Sequence, residues 1–249
     1  MHSSSRITTG RRIRFLFLFI FSFFIIPGLS QQLNYDELFA GDWKKALRFV
    51  RDNEKWMRQV SEKYSVPYPF AVAVVFPELV RYSALRDKME ITMLKTLYRN
   101  LGEDYADFSV GVFQVKPSFA EKVRDEYFSG SGPQGKNPLG KKGKFRNARD
   151  FRGSIIADLE NPQTEFNYVI AFMKICERNF PFASAVNDTS KIKFLATAYN
   201  SGFWKNREEI EKMSDLKFFN TKIVSSESYT YADVSLFWYN KYARKEKNL

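Results

Sequence analysis

One carboxylate stands directly behind an unbroken apolar run: Phe70-Ala71-Val72-Ala73-Val74-Val75-Phe76-Pro77 leads straight into Glu78. Read as a helix lying in a core, that run leaves the Glu78 carboxyl at the core's rim, where loss of water disfavours the charged form and raises the pKa. A carboxylic acid still protonated near neutral pH is equipped to hand a proton to a leaving oxygen. The competing structural role is a solvated helix end, because glutamate is seldom buried without a partner. Further polar groups sit at positions suited to a cleft. Gln114 closes the glycine-led stretch Gly111-Val112-Phe113-Gln114, in which Gly111 permits a close backbone approach. Tyr199 and Asn200 precede Gly202, a residue that suits a helix stop. Glu227 stands just ahead of the last apolar helix, where capping is its structural role.

Other chemistries lack their usual parts. The chain of 249 residues has one cysteine, Cys176, and one histidine, His2. No intramolecular disulfide is therefore possible, and zinc sites and Ser-His or Cys-His catalysis have no ligands or bases to draw on. Cys176 falls on an apolar helix face and reads as a small buried hydrophobe. Carboxylate chemistry remains. The net charge is +11, and setting aside Arg6, Arg11, Arg12 and Arg14 of the leader leaves +7. That balance favours an anionic partner such as an acidic wall polymer or a membrane surface. No nucleic-acid motif accompanies it, so nucleic acid is not expected.

The elements that must position these groups follow in order. Four arginines, an apolar run over 15–26 and the small residues before Gln31 predict a secretory signal peptide over 1–30, whose apolar run is too short to span a bilayer, for which about 20 residues are needed. The mature chain is then expected in the periplasm or cell envelope. Apolar residues at helical spacing from Leu38 to Val60 predict two amphipathic helices broken near Asp52-Asn53, an N-terminal layer over 31–63 whose tryptophans serve packing. Pro67 and Pro69 pin the entry to the helix that carries Glu78, and Pro77 is expected to kink or end it. A further helix is predicted over 86–101, with Met89, Met93, Leu94 and Leu97 sharing a face, and another from Pro117. Residues 129–149, rich in Gly, Pro, Lys and Arg, read as a long mobile loop whose charge suits an acidic wall polymer or membrane surface. Helices over about 162–179, 190–199 and 229–242 complete the domain, with a basic tail over 243–249.

Four pieces in this order resemble the soluble-type lytic transglycosylases, members of the lysozyme-like superfamily with a goose-lysozyme-type core. Glu78 matches the catalytic glutamate of that family's helix, with Leu79 where the family has serine. Gly111-Val112-Phe113-Gln114 is similar to its G-L-M-Q loop, Ala198-Tyr199-Asn200 matches its A-Y-N motif, and Glu227-Ser228-Tyr229-Thr230-Tyr231 approximates its late E-T-R-x-Y element. The resemblance spans 64–242 and implies an all-α, lysozyme-like transglycosylase domain behind the extra N-terminal layer. The interval from Glu78 to Gln114 exceeds the family's, which makes the helix over 86–101 an insertion beside the cleft.

The resemblance implies a peptidoglycan glycan strand as substrate, cleaved between N-acetylmuramic acid and N-acetylglucosamine. Glu78 is then general acid and afterwards base, the muramic acid 6-hydroxyl closes a 1,6-anhydro ring, and no metal or cofactor is expected to take part. Gln114 and the backbone at Phe113 are expected to bind the sugar, Tyr199 to orient Glu78 or the N-acetyl group, Asn200 to support that corner, and Glu227 to sit at the back of the cleft. Two other readings stay open: a hydrolytic goose-type lysozyme that positions water with Glu103, Asp104 or Asp107, and a catalytically silent wall-binding scaffold, which the loss of the serine at Leu79 would suit.

Overall fold

Ala71 through Phe76 have no solvent exposure at all. A helix apolar on every side must be wrapped on every side, and the rest of the chain does the wrapping. In the computed structural model, which describes residues 33–84, 88–129, 136–219 and 228–243, that helix is α3 (Tyr68–Ala84). It packs against α2 (Ala40–Lys63), α7 (Pro162–Asn179), α8 (Asp188–Ser201) and α10 (Tyr231–Trp238). Glu78 therefore lies inside α3 and not at its end. Pro77 does not stop the helix, which continues to Ala84. The architecture is mainly helical, with one small antiparallel pair, β1 (Lys217–Phe219) and β2 (Tyr229–Thr230). The leader over 1–30, Glu227 and residues 244–249 of the tail lie outside the described residues.

The N-terminal layer corrects one expectation. After a single turn, α1 (Tyr35–Leu38), the chain forms one continuous helix α2 with no break at Asp52-Asn53. Asn53 satisfies its own polar groups along the helix: its amide donates to the Phe49 carbonyl at 2.8 Å and accepts from Trp56 Nε1 at 2.8 Å. A polar residue that bonds back within the helix has no reason to leave it. Trp43 is buried, stacked near Phe39 and set against Phe76, and Trp56 meets Phe166 edge-on at 5.6 Å. Both tryptophans pack the core, as their spacing suggested.

Asparagine caps start the later helices. Asn147 accepts from the Asp150 amide at 2.9 Å at the head of α6 (Ala148–Glu160), Asn161 accepts from Gln163 and Thr164 at the head of α7, and Asn187 accepts from Ser190 at the head of α8. Asn206 and Glu209 form a reciprocal capping box on α9 (Arg207–Met213). Each such cap is worth about 1 kcal/mol. The helices α6 and α9 were not foreseen, although an Asn with an acid three residues on marks both starts. The loop over 129–149 accordingly ends earlier than expected, and Phe145 anchors it edge-on against Phe151 at 5.2 Å. Helix α4 (Lys88–Leu101) packs on α6, and none of its described side chains lines the cleft around Glu78. Leu94 and Leu97 face the core as expected, but Met93 is exposed. Cys176 is fully buried, and burial pushes its thiol well above the ordinary range.

Candidate active site

Proline inside α3 has a local consequence. Pro77 has no N–H for the carbonyl four residues back, and a helix is loosened at that point. One residue on, the Val74 carbonyl accepts a hydrogen bond from the buried Tyr231 hydroxyl at 2.9 Å. Tyr231, from the start of α10, thus braces the helix behind the acid. The side chain after the acid, Leu79, turns into the core. No hydroxyl stands where the resembling family has one.

Glu78 is 4% exposed. Arg81, one turn further along α3, donates from a single nitrogen, Nη1, to both carboxylate oxygens at 3.0 and 3.1 Å. Its guanidinium lies over the Phe219 ring, with Cζ 4.9 Å from the centroid. Burial pushes the Glu78 carboxyl up to about 7, and the charges of Arg81 and Lys116 pull against it. Burial wins because removing a carboxylate from water costs more than one partly exposed guanidinium returns.

The second wall is the loop between α4 and α5 (Pro117–Phe128). Val110 and Val115 pair across it, the Val110 amide donating to the Val115 carbonyl at 3.0 Å. Gly111 has φ +77° and Gln114 φ +55°, so the chain doubles back within four residues. Inside the turn sits a residue that sequence reading missed. Glu165 of α7 is fully buried and accepts from the amides of Val112 at 2.9 Å, Phe113 at 3.0 Å and Val115 at 3.4 Å. A Cβ on Gly111 would lie 2.3 Å from the Glu165 carboxyl and 2.3 Å from the Leu159 carbonyl, so only glycine lets the loop close on its anchor. Burial raises the Glu165 pKa well above the carboxylate range; the three amides oppose this and the charge of Glu78 adds to it.

Tyr199 serves the same loop. Its hydroxyl donates to the Phe113 carbonyl at 2.9 Å, and the residue is buried between Phe119 and Phe172. The expectation that the backbone at Phe113 greets a ligand is thereby corrected: its amide is held by Glu165, its carbonyl by Tyr199, and its ring packs on Phe49 and Phe166. Tyr199 holds the loop that carries Gln114, and its hydroxyl is not spent on Glu78. Gln114 is itself tethered, its amide donating to the Gly111 carbonyl at 2.8 Å.

Glu78, Arg81, Gln114, Lys116, Tyr199 and Asn200 line one cleft of about 190 Å³. Asn200 is exposed at its lip. Asp107 reaches the same cleft, where it accepts from Lys116 at 2.6 Å and Ser118 at 2.8 Å. Glu103 and Asp104 are exposed and do not line it. Glu227 lies outside the described residues, so its place is not described. Trp204, which sequence reading passed over, is 51% exposed on the cleft wall, with the ammonium groups of Lys122 and Lys205 at 5.1 and 5.4 Å from its ring. Gly202, at φ +105°, makes room for that ring: a Cβ there would meet it at 2.6 Å. A large aromatic side chain left half in water beside a cleft is the feature that draws attention.

The raised pKa has a stability consequence that needs no substrate. A carboxyl whose folded pKa lies near 7 and whose unfolded value is near 4.5 binds more protons folded than unfolded between those values, so its contribution is full below the unfolded pKa and falls as pH rises toward 7. Between pH 4.5 and 8 the protein should lose about 3 kcal/mol of stability through this one group. Urea melts of the protein and of Glu78→Gln across that range should differ in slope by this amount, and parallel curves would exclude a raised pKa at Glu78.

Among the described residues no group of three or more His, Cys, Asp or Glu is arranged to hold a metal, and no helix is long and apolar enough to cross a membrane. Comparison with known proteins finds no matching family model, no matching curated protein and no matching solved structure.

Proposed function

We propose that the protein is a lytic transglycosylase of the cell envelope, with a lysozyme-like domain that cleaves peptidoglycan between N-acetylmuramic acid and N-acetylglucosamine. The observation that carries this reading is the buried Glu78 carboxyl, with its pKa near 7, in one cleft with Gln114 and Tyr199. Those are the residues through which the sequence resembles the family. A general acid of that pKa is substantially protonated at neutral pH and still a competent base once deprotonated.

The chemistry closes on this single carboxyl. Glu78 gives its proton to the bridging oxygen as the C1–O bond of muramic acid breaks, and the substrate's own N-acetyl group steadies the positive charge at C1. The carboxylate then takes the proton of the 6-hydroxyl, whose oxygen bonds to C1 and forms the 1,6-anhydro ring. Glu78 ends the cycle protonated, and no water is consumed. Gln114 is poised to bind the sugar's amide or hydroxyls. Glu165 acts behind the wall, holding the loop. Trp204 offers a flat apolar face to a sugar ring, and Trp204→Ala should raise KM about five- to tenfold, equivalent to about 1 kcal/mol, with kcat much less affected.

Hydrolysis is the second reading, favoured by Asp107, a further carboxylate on the cleft. Its engagement by Lys116 and Ser118 gives it a structural task and argues for the single-acid mechanism. Incubating the protein with purified sacculi and identifying the released fragments by mass spectrometry decides. Anhydro-muropeptides are expected; reducing-end fragments, together with sensitivity to Asp107→Asn, would establish hydrolysis, and intact sacculi would refute both.

A further inference from the structure

The contact with Arg81 favours the carboxylate form of Glu78 over the acid, against the pull of burial. Both oxygens of Glu78 accept from one nitrogen of Arg81, and a proton on either oxygen would meet that N–H. Yet proton donation requires the protonated form with an oxygen open to the glycan. Arg81 is the more exposed partner, its side chain about a quarter in water against 6% for Glu78, and both line the cleft. Only Nη1 is engaged: among the described residues Nε and Nη2 of Arg81 have no hydrogen-bond partner. That edge of a guanidinium is the fork that receives a carboxylate in two parallel bonds.

We infer that Arg81 is a carboxylate-responsive latch: an anionic group on the bound glycan engages its free edge, draws it off Glu78, and so lets Glu78 take up the proton it must donate. This rests on the proposed reading of the cleft and adds a specificity to it. The preferred strand is one whose sugar carries a free carboxylate beside the scissile bond, as the lactyl group of muramic acid does where no stem peptide is amide-linked to it, and a neutral chitin strand leaves the latch shut. The other groups around Glu78 do not substitute for it. Lys116, from the loop before α5, is paired with Asp107. Glu165 of α7 is held by three amides. Tyr199 of α8 donates to the Phe113 carbonyl and Tyr231 of α10 to the Val74 carbonyl, and burial keeps both hydroxyls protonated. Of these groups Arg81 alone both holds Glu78 and keeps donors free among the described residues.

The test follows the Glu78 carboxyl directly. Carbon-13 NMR of protein labelled at glutamate, with the signal assigned by its loss in Glu78→Gln, gives the apparent pKa alone, with N-acetylglucosaminyl-N-acetylmuramic acid, and with neutral chitobiose. The acidic disaccharide should raise it by at least one unit and chitoboise's neutral sugars should leave it within a few tenths. In Arg81→Met the pKa should start higher, and neither sugar should move it further. Equal shifts with both sugars, no shift with either, or an Arg81→Met value equal to the wild type overturns the latch, and the wild-type comparison stands even where the variant does not fold. A shift of the expected kind without cleavage of peptide-free glycan strands would instead sink the enzymatic reading and leave the carboxylate response in place. Cleavage without the shift would do the reverse.

Discussion

Glu78→Gln should retain the fold and lose glycan cleavage, with turnover of sacculi falling at least a thousandfold. Glutamine matches the shape of glutamic acid but has no proton to give and no basicity to recover it, and in a one-carboxyl mechanism both halves of the cycle fail together. General acid–base assistance is worth about 10² to 10⁴ in rate, and among the described residues no second carboxyl stands ready: Glu165 is sealed beneath the loop, and Asp107 is held by Lys116 and Ser118. The fold should survive because burial of the charged form is the costly state here, so removing the charge relieves a penalty even though Arg81 loses its partner. Release of soluble muropeptides measured beside circular dichroism checks both halves. A folded variant that retains a tenth of the activity would remove Glu78 from the chemistry.

Gly111→Ala should be severely damaging, lowering stability by about 4 kcal/mol or more and abolishing activity in whatever fraction folds. Two costs combine. A φ of +77° strains any residue with a Cβ by about 1 kcal/mol or more. The new methyl would also stand 2.3 Å from both the Glu165 carboxyl and the Leu159 carbonyl, one of which is backbone and cannot swing aside. Relief requires the loop to lift off Glu165. Three amides then lose their acceptor in a dry interior, each unmet group costing about 1–3 kcal/mol. Gln114 moves with the loop, so activity goes with stability. A control distinguishes geometry from general fragility: Gly140→Ala, also at positive φ but with nothing within 4 Å of its Cβ, should lose only the conformational cost. Chemical denaturation of the two variants gives the comparison, and equal losses would show that the close approach to Glu165 does not matter.

How much of this was legible beforehand depends on the range of each interaction. The apolar run before Glu78 announced a buried helix, and Gly111 announced a close approach, because both are properties of a few consecutive residues. Arg81 was within reach as well. An acid and an arginine three apart share a helix face, but the pairing matters only because the acid is buried, and burial depends on α2, α8 and α10 closing around α3. Glu165 gave no local signal at all. It lies 52 residues from the Phe113 amide it accepts from, and on α7 it reads as an ordinary first-turn acid. The continuous α2 escaped notice because Asp52-Asn53 resembles a break until the asparagine's bonds to Phe49 and Trp56 are seen. Trp204 was hidden in plain composition, since exposure, not residue type, singles it out.

The fate of solvent oxygen tests the single-acid account most directly. Sacculi digested in water enriched in heavy oxygen should yield fragments free of label, ending in 1,6-anhydro rings, because the 6-hydroxyl of the substrate supplies the oxygen that replaces the broken bond. One labelled oxygen at C1 for each bond cut would mean that water is the nucleophile and that Glu78 does not work alone.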